Sequence, residues 1–352
     1  MFANISDKMK QAVLTSLHNI EINECDKPQI TKSDDVLIEV KSVGICGSDI
    51  HYYRQGRIGN QTIHYPFRAG HEFSGRIIAV GTDVSNLSVG DRVAVDPLVW
   101  CGKCSECLNG RYHTCLNQKF TGAPGQLEGA LAEFITIPAK CCFKIPDSLT
   151  YNQAVLIEPF SIALHAAGFM DYNYVDSILI LGVGPIGLSV LLVAQVHGIK
   201  KLFVTDLIDS RLEKAKELGA SYTGNPNNTN IVDDIKSMKP DGLPVVFDCC
   251  GKQSALDQSI ALLRPGGKLI LVGIQEFDEI SFNPHDIRRK EITIQTVRRQ
   301  NEKMLEAIEL INSRKILSDF LITHEFPFPK TKEAFDLVEN YKDGVLKAVV
   351  TI

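Results

Sequence analysis

The chain has 352 residues, 44% hydrophobic and 22% charged, with 37 basic against 42 acidic side chains and a net charge of −5. This is the composition of an ordinary globular protein, and the length calls for two domains rather than one. A small negative balance without a basic run excludes an electrostatic grip on nucleic acid or an anionic membrane surface. Residues 1–14 hold no apolar core followed by a small-residue cleavage site, so no signal peptide is expected and the expected location is cytoplasmic.

Residues 11–157 read as β-rich. Short apolar runs at 36–40, 75–80, 92–95 and 132–137 are separated by Gly, Pro, Asp and Asn, the pattern of a small barrel-like domain with many turns. Two groups of candidate metal ligands fall here. Cys101, Cys104, Cys107 and Cys115 place four of the ten cysteines in one short loop. Four thiolates at that density suit tetrahedral zinc in a closed structural site, and their loop lacks the basic stripe of a nucleic-acid-binding zinc ribbon. The second group is dispersed: Cys46 in Val43-Gly-Ile-Cys-Gly-Ser-Asp49, then His71 and Glu72, then Glu158 in Ile157-Glu-Pro-Phe-Ser161. A thiolate, an imidazole and one or two carboxylates make a zinc site that keeps a position open. Asp49 can accept a hydrogen bond from the second ring nitrogen of His71 and so set its tautomer. Taken singly, these residues are equally a core cysteine, a surface His-Glu pair and a turn.

From residue 158 the rhythm changes to strands (177–181, 202–205, 245–248, 268–272, 292–297) alternating with helical patterns. One of these, 210–218, ends at Gly219 where a C-terminal glycine belongs. Alternation of this kind means a parallel sheet covered on both faces. Residues 177–199 carry no Asp, Glu, Lys or Arg. Gly182, Gly184, Pro185, Gly187 and Gly198 nevertheless break them into strand, turn and helix rather than a membrane span.

The motif Gly182-Val-Gly-Pro-Ile-Gly187 is a candidate dinucleotide site. Gly182 permits the tight turn, Gly184 admits a pyrophosphate, and Gly187 lets helix pack on strand, while Pro185 and Ile186 open the helix whose free N–H groups face the phosphates. Asp206 follows, placed to hold the adenosine ribose hydroxyls; its charge repels a 2′-phosphate and selects NAD over NADP. The plain alternative for Asp206 is a helix cap. Arg211 is near enough to stack on adenine or reach the ribose, and by itself it would serve NADP equally. Val272, closing the 268–272 run, joins the cofactor set. Helices at 302–314 and 331–341 and a strand at 348–352 form a tail returning to the first domain, giving expected domains 1–157, 158–297 and 298–352.

These motifs, with Gly44-Ile-Cys-Gly-Ser-Asp-Ile-His-Tyr52, Gly56-Arg-Ile-Gly-Asn60, Gly70-His-Glu-Phe-Ser-Gly75, Gly90-Asp-Arg-Val93, Leu156-Ile-Glu-Pro159 and Val204-Thr-Asp-Leu207, run in order along nearly the whole chain. Together they resemble the medium-chain, zinc-containing alcohol dehydrogenase superfamily, in its sorbitol (polyol) dehydrogenase branch. The resemblance implies an α/β protein: a GroES-like β-barrel catalytic domain, completed by the C-terminal tail, and a Rossmann domain with a doubly wound parallel sheet. It implies one catalytic zinc held by Cys46, His71 and Glu72, with Glu158 at the metal or its water, and one structural zinc. Hydride would pass from a secondary alcohol to C4 of NAD. The proton would leave through Ser48, a cofactor ribose hydroxyl and His51, or through Glu158; Ser48 and His51 also read as turn residues. The resemblance suggests a homotetramer.

Tyr52 and Phe120 match positions lining the family's substrate pocket. The family's aromatic–Arg–Tyr triplet is replaced here by Val297-Arg298-Arg299. Paired arginines suit a carboxylate, which points to a sugar acid (an aldonate) or a related polyol. The alternative puts Arg299 in solvent or pairs it with Glu291 or Glu302. A simple alcohol or threonine-type dehydrogenase is the rival activity, against which Glu158 and the Gly-Arg-Ile-Gly-Asn segment speak. A non-catalytic cofactor-binding relative would have no reason to keep both metal groups. The other cysteines, Cys25, Cys141, Cys142, Cys249 and Cys250, are expected to pack as small apolar residues.

Overall fold

A computed structural model describes residues 7–352, so the first six positions of the expected N-terminal domain lie outside the described residues. The chain divides into two units: one runs to Glu158 and resumes from Met304 to Ile352, and the other is Pro159–Lys303. Arg298 and Arg299 therefore belong to the second unit, not to the returning tail.

In the first unit the strand Asp35–Gly44 is the organising element. Its sequence DVLIEVKSVG leaves eight of ten positions buried, because it is flanked on both edges and packed on both faces. Along one edge it pairs antiparallel with Glu72–Val80, from Val36 opposite Val80 to Gly44 opposite Glu72. The other edge is shared, its first half pairing with Phe134–Pro138 and its last residues with Lys347–Thr351. Arg92–Val95, Cys142–Lys144 and Ile322–Pro327 complete a seven-stranded sheet. Val36, Ile38, Val43, Phe73, Ile77 and Val350 form its core, each no more than 1% exposed. Burying such side chains contributes about 1.5–3 kcal/mol apiece before chain entropy is counted.

Sequence and structure differ in places. The run read at 75–80 begins at Glu72, so His71 stands at the entry to the strand. The helix Gly47–Gln55 was not expected inside a β-rich stretch. Its buried residues, Asp49, Tyr52 and Tyr53, have helical spacing, but an aspartate in the first of these places conceals the apolar pattern. The hairpin Lys8–Ser16 with Asn19–Asp26 and the strand Ile322–Pro327 were likewise not anticipated.

The second unit is a six-stranded parallel sheet in the order Tyr222–Gly224, Lys201–Thr205, Ser177–Leu181, Leu243–Asp248, Leu263–Leu271, Thr293–Thr296. Numbered by sequence within the unit, that order is 3-2-1-4-5-6, which reverses direction between Ser177–Leu181 and Leu243–Asp248 and opens a binding crevice at their carboxyl ends. The uncharged stretch resolves into the strand Ser177–Leu181 and the helix Pro185–Val196. Among the described residues no helix is long and apolar enough to cross a membrane. Gly219, expected as a helix end, has φ +91°, following the helix Asp209–Glu217.

Helix and strand meet most closely at Gly187, where an added Cβ would stand 2.0 Å from the carbonyl oxygen of Gly182. Gly187→Ala is expected to destabilise the protein by about 1–3 kcal/mol through overpacking. A thermal melt checks this, and an unshifted midpoint would contradict it.

Candidate metal and dinucleotide sites

Cys46 ends the central strand's path and caps the helix Gly47–Gln55, with β-region backbone (φ −92°, ψ 157°). Its backbone N–H donates to Asp49 Oδ2 at 2.9 Å. The other oxygen, Oδ1, accepts from the Gly70 N–H at 3.2 Å and lies 3.5 Å from His71 Nδ1. Asp49 therefore ties the Cys46 turn to the Gly70-His71 turn, and the partner foreseen for the His71 ring is in place. Burial alone would raise the Asp49 carboxyl, but His71 and the two N–H groups hold it below the ordinary carboxylate range.

Cys46 Sγ, a His71 ring nitrogen and a Glu72 oxygen lie within 4.8 Å of one another. Burial works against a proton on His71, yet Asp49 and Cys46 lift its pKa well above the ordinary value. The negative groups that attract this proton equally attract a cation, and a divalent ion bound there displaces it. The donor set thus fits zinc: one soft thiolate, one imidazole and oxygen. Glu158, in the first turn of the helix Ile157–Ala167, is 6% exposed. Burial pushes its carboxyl up to about 7, with Glu72 and Asp96 adding to the rise and His71 and Lys347 opposing it.

The four cysteines of the lobe converge as well, their sulfurs within 4.8 Å of one another. Cys115 Sγ accepts from the Cys101 N–H at 3.3 Å and the Asn117 N–H at 3.4 Å. The Lys103 N–H, with further donors, lowers the Cys101 thiol to about 6, while burial pushes Cys107 up to about 12. Thiolates fed by backbone donors and partly shut from water fit a closed four-sulfur metal site.

Of the other expected residues in this unit, Phe120 lies against His71, ring centroids 5.4 Å apart. Tyr52 is 5% exposed and packs edge-on against Phe67. Ser48 and His51 are half-buried, and their spacing of three puts them on one helix face.

In the second unit Gly182 has φ +86°, a turn that glycine adopts without strain. An added Cβ at Gly184 would stand 3.4 Å from the Arg211 guanidinium, so backbone and arginine border the same space. Pro185 opens the helix at its first position. Asp206 just follows the strand Lys201–Thr205; its Oδ2 accepts from the Val183 N–H at 2.8 Å and its Oδ1 from the Ile208 N–H at 3.0 Å. Arg211 approaches that carboxylate at 4.0 Å. Ile186 and Val272 are half-buried, and the Val272 N–H donates to the Asp248 carbonyl at 2.8 Å.

Two residues escaped the sequence reading. Asp248, fully buried, accepts from the N–H groups of Cys250 and Gly251 at 3.1 and 3.0 Å and from Gln275 Nε2 at 3.2 Å, fixing the loop beside the glycine turn. Lys347, 2% exposed, donates to both oxygens of Glu72 at 2.8 and 2.6 Å. A lone lysine in the otherwise apolar run Val345–Val350 was the available signal for the second.

Comparison with known proteins agrees with this chemistry. Residues 32–147 match the alcohol dehydrogenase GroES-like domain, and residues 185–313 match the zinc-binding dehydrogenase domain. The sorbitol dehydrogenase of Bacillus subtilis is 38% identical over 99% of this chain and 99% of its own. The chain belongs to the zinc-containing medium-chain dehydrogenases. The dehydrogenase is also 36% identical to an L-idonate 5-dehydrogenase of Vitis vinifera, over 86% of this chain and 84% of that one. A solved structure of an Escherichia coli alcohol dehydrogenase with bound NADH superposes with a TM-score of 0.90 at 33% identity, covering 99% of this chain and 100% of that one. The fold is the expected one, a GroES-like domain and a Rossmann sheet.

The role of Asp49 in the dehydrogenase is open to direct measurement. Asp49→Asn keeps the shape but removes the charge that orients His71, and metal affinity at the Cys46 site is expected to fall about 10–100-fold. Chelator competition measures this; an unchanged affinity would remove Asp49 from the metal's support.

Proposed function

We propose that this dehydrogenase oxidises a secondary hydroxyl of a sugar acid or a polyol, with NAD as the hydride acceptor and zinc held by Cys46, His71 and a carboxylate from Glu72 or Glu158. The observation that carries the reading is the convergence of Cys46, His71 and Glu72 within 4.8 Å, supported on its far side by Asp49. When bound, the metal supplies a Lewis acid that acidifies the substrate hydroxyl, and NAD supplies the hydride acceptor. Phe120, beside His71, gives the substrate an apolar wall. Ser48 and His51, on one face of their helix, form one route by which the hydroxyl proton leaves; Glu158, lifted toward neutrality by burial, is the other. Asp206, held by two backbone N–H groups, presents a fixed negative charge that favours ribose hydroxyls over a 2′-phosphate. Cys101, Cys104, Cys107 and Cys115 hold a second, structural zinc.

A carboxylate on the substrate is favoured by Arg298 and Arg299. Arg298 is exposed and Arg299 half-buried, with left-handed backbone at Arg299 (φ 55°). Adjacent guanidiniums suit bidentate carboxylate recognition, and the Vitis vinifera relative is named for a sugar acid. NADH formation at 340 nm across polyols and C5–C6 aldonates, with and without a zinc chelator, tests the reading. For Arg298→Leu the expected result is a KM for the aldonate raised about 10–100-fold, the loss of one charge-assisted pair, with polyol turnover little changed. An equal fall on both substrates would defeat the carboxylate assignment.

A homo-oligomer fits the open edge of the parallel sheet. The strand Thr293–Thr296 is its last, with Thr293, Ile294 and Thr296 exposed. An uncharged edge of this kind offers unpaired backbone to a second copy. Ile294→Lys is expected to reduce the mass measured by light scattering; an unchanged mass would place the contact elsewhere. Ten unpaired cysteines suit a reducing, cytoplasmic compartment.

A further inference from the structure

The helix Met304–Asn312 is followed by a turn that residues with side chains seldom make. Arg314 has left-handed backbone (φ 57°), and the chain doubles back so that the Ile316 N–H donates to the Leu310 carbonyl at 3.1 Å. Holding a non-glycine residue there costs free energy, and such costs gather where a site is shaped. Together with Ser148, Leu149 and Gln153, the turn encloses a cavity of about 100 Å³. All of it lies in the first unit, and none of its lining residues belongs to either metal group or to the glycine turn. Leu149, Ile311 and Ile316 give it a buried aliphatic wall, and Leu317, 54% exposed, stands at its edge.

Ser318 is the residue that points to an occupant. It is 1% exposed and lines the cavity, and its hydroxyl has no hydrogen-bond partner among the described residues. A buried hydroxyl left in that state is costly, and a guest in the cavity removes the cost. A single water needs roughly 10–15 Å³ of cavity, so the space is several times what that guest requires. The other polar groups are already arranged in pairs. Ser148 Oγ donates to Asn312 Oδ1 at 2.6 Å, Gln153 Nε2 donates to Asp319 Oδ1 at 2.7 Å, and Arg314 Nη2 lies 3.8 Å from Asp319 Oδ2. These pairs leave further N–H donors on Arg314, Asn312 and Gln153 and further lone pairs on Asp319. An anion would meet Asp319, and a cation would meet Arg314. A hydroxyl group accepts from the amides and the guanidinium and donates to the carboxylate, while its carbon rests on the aliphatic wall.

We propose that this cavity is a second binding site, for a small neutral polyol, with Ser318, Arg314 and Asp319 as its recognition groups. It falls below the roughly 300–1,000 Å³ of sites for drug-sized ligands, which limits the guest to a few carbons. The proposal goes beyond the oxidation reading and does not depend on it, since the site uses neither zinc nor NAD.

The test follows the methyl resonances of Leu149, Ile311, Ile316 and Leu317 by NMR in the full chain, without added NAD, so that nothing is turned over. Glycerol, glycerate and serinol (2-amino-1,3-propanediol) are titrated as neutral, anionic and cationic probes of matched size. Glycerol is expected to shift these four residues saturably, with glycerate and serinol binding at least about tenfold more weakly. Ser318→Ala is expected to weaken glycerol about fivefold, the loss of one neutral hydrogen bond, and Arg314→Met about tenfold. Shifts that never saturate, or that are confined to other methyl groups, mean that the cavity holds water alone and overturn the proposal. Tighter binding of glycerate or of serinol overturns the polyol assignment. An unchanged glycerol affinity in Arg314→Met overturns it too. That side chain is 69% exposed, so this variant decides even where Ser318→Ala fails to fold.

Discussion

A single buried carboxylate, Asp49, holds the first unit's chemistry together. It takes an N–H from Cys46, an N–H from Gly70 and the ring of His71, joining two turns that nothing in the local sequence would bring together. Desolvating a carboxylate is costly unless each lone pair finds a donor, and here the donors are the backbone and ring of the ligand-bearing turns themselves. Cys46 and His71 are thus oriented by the same charge. Neither turn can shift without leaving that charge under-satisfied.

The two units reach function by different means. In the first, side chains do the work and strand register places them: the central strand Asp35–Gly44 sets Glu72 on one flank and Lys347–Thr351 on the other. In the second, the backbone does most of it. It brings together a left-handed glycine, a helix start and the carboxyl ends of parallel strands, features from which phosphate sites are built with few side chains. Asp206 and Asp248 contribute chiefly by taking N–H groups of the surrounding loops.

This difference governs how much could be read from the chain. The glycine motif and the four-cysteine loop were legible because each is built from neighbours in sequence, where spacing is geometry. The doubly wound sheet was legible because strand and helix periods alternate plainly after residue 158. The helix Gly47–Gln55 was not, because a buried aspartate occupies an inward-facing position that an apolar residue would have marked. Lys347 was not, because its partner Glu72 is 275 residues away and only the sheet joins them. The passage of Arg298 into the second unit followed from where packing ends rather than from any composition change.

The anchoring of Asp206 bears on how cofactor preference can change. The carboxylate proposed to meet the ribose already takes the Val183 N–H inside the glycine turn. Replacing it with a small neutral residue to admit a phosphate would also release the Val183 peptide within the glycine turn. A chain altered toward NADP therefore needs a new acceptor for that N–H as well as a new cation. Arg211, already 4.0 Å away, answers only the second need. Evolution or design that moves in one step would lose grip on both dinucleotides before gaining the other.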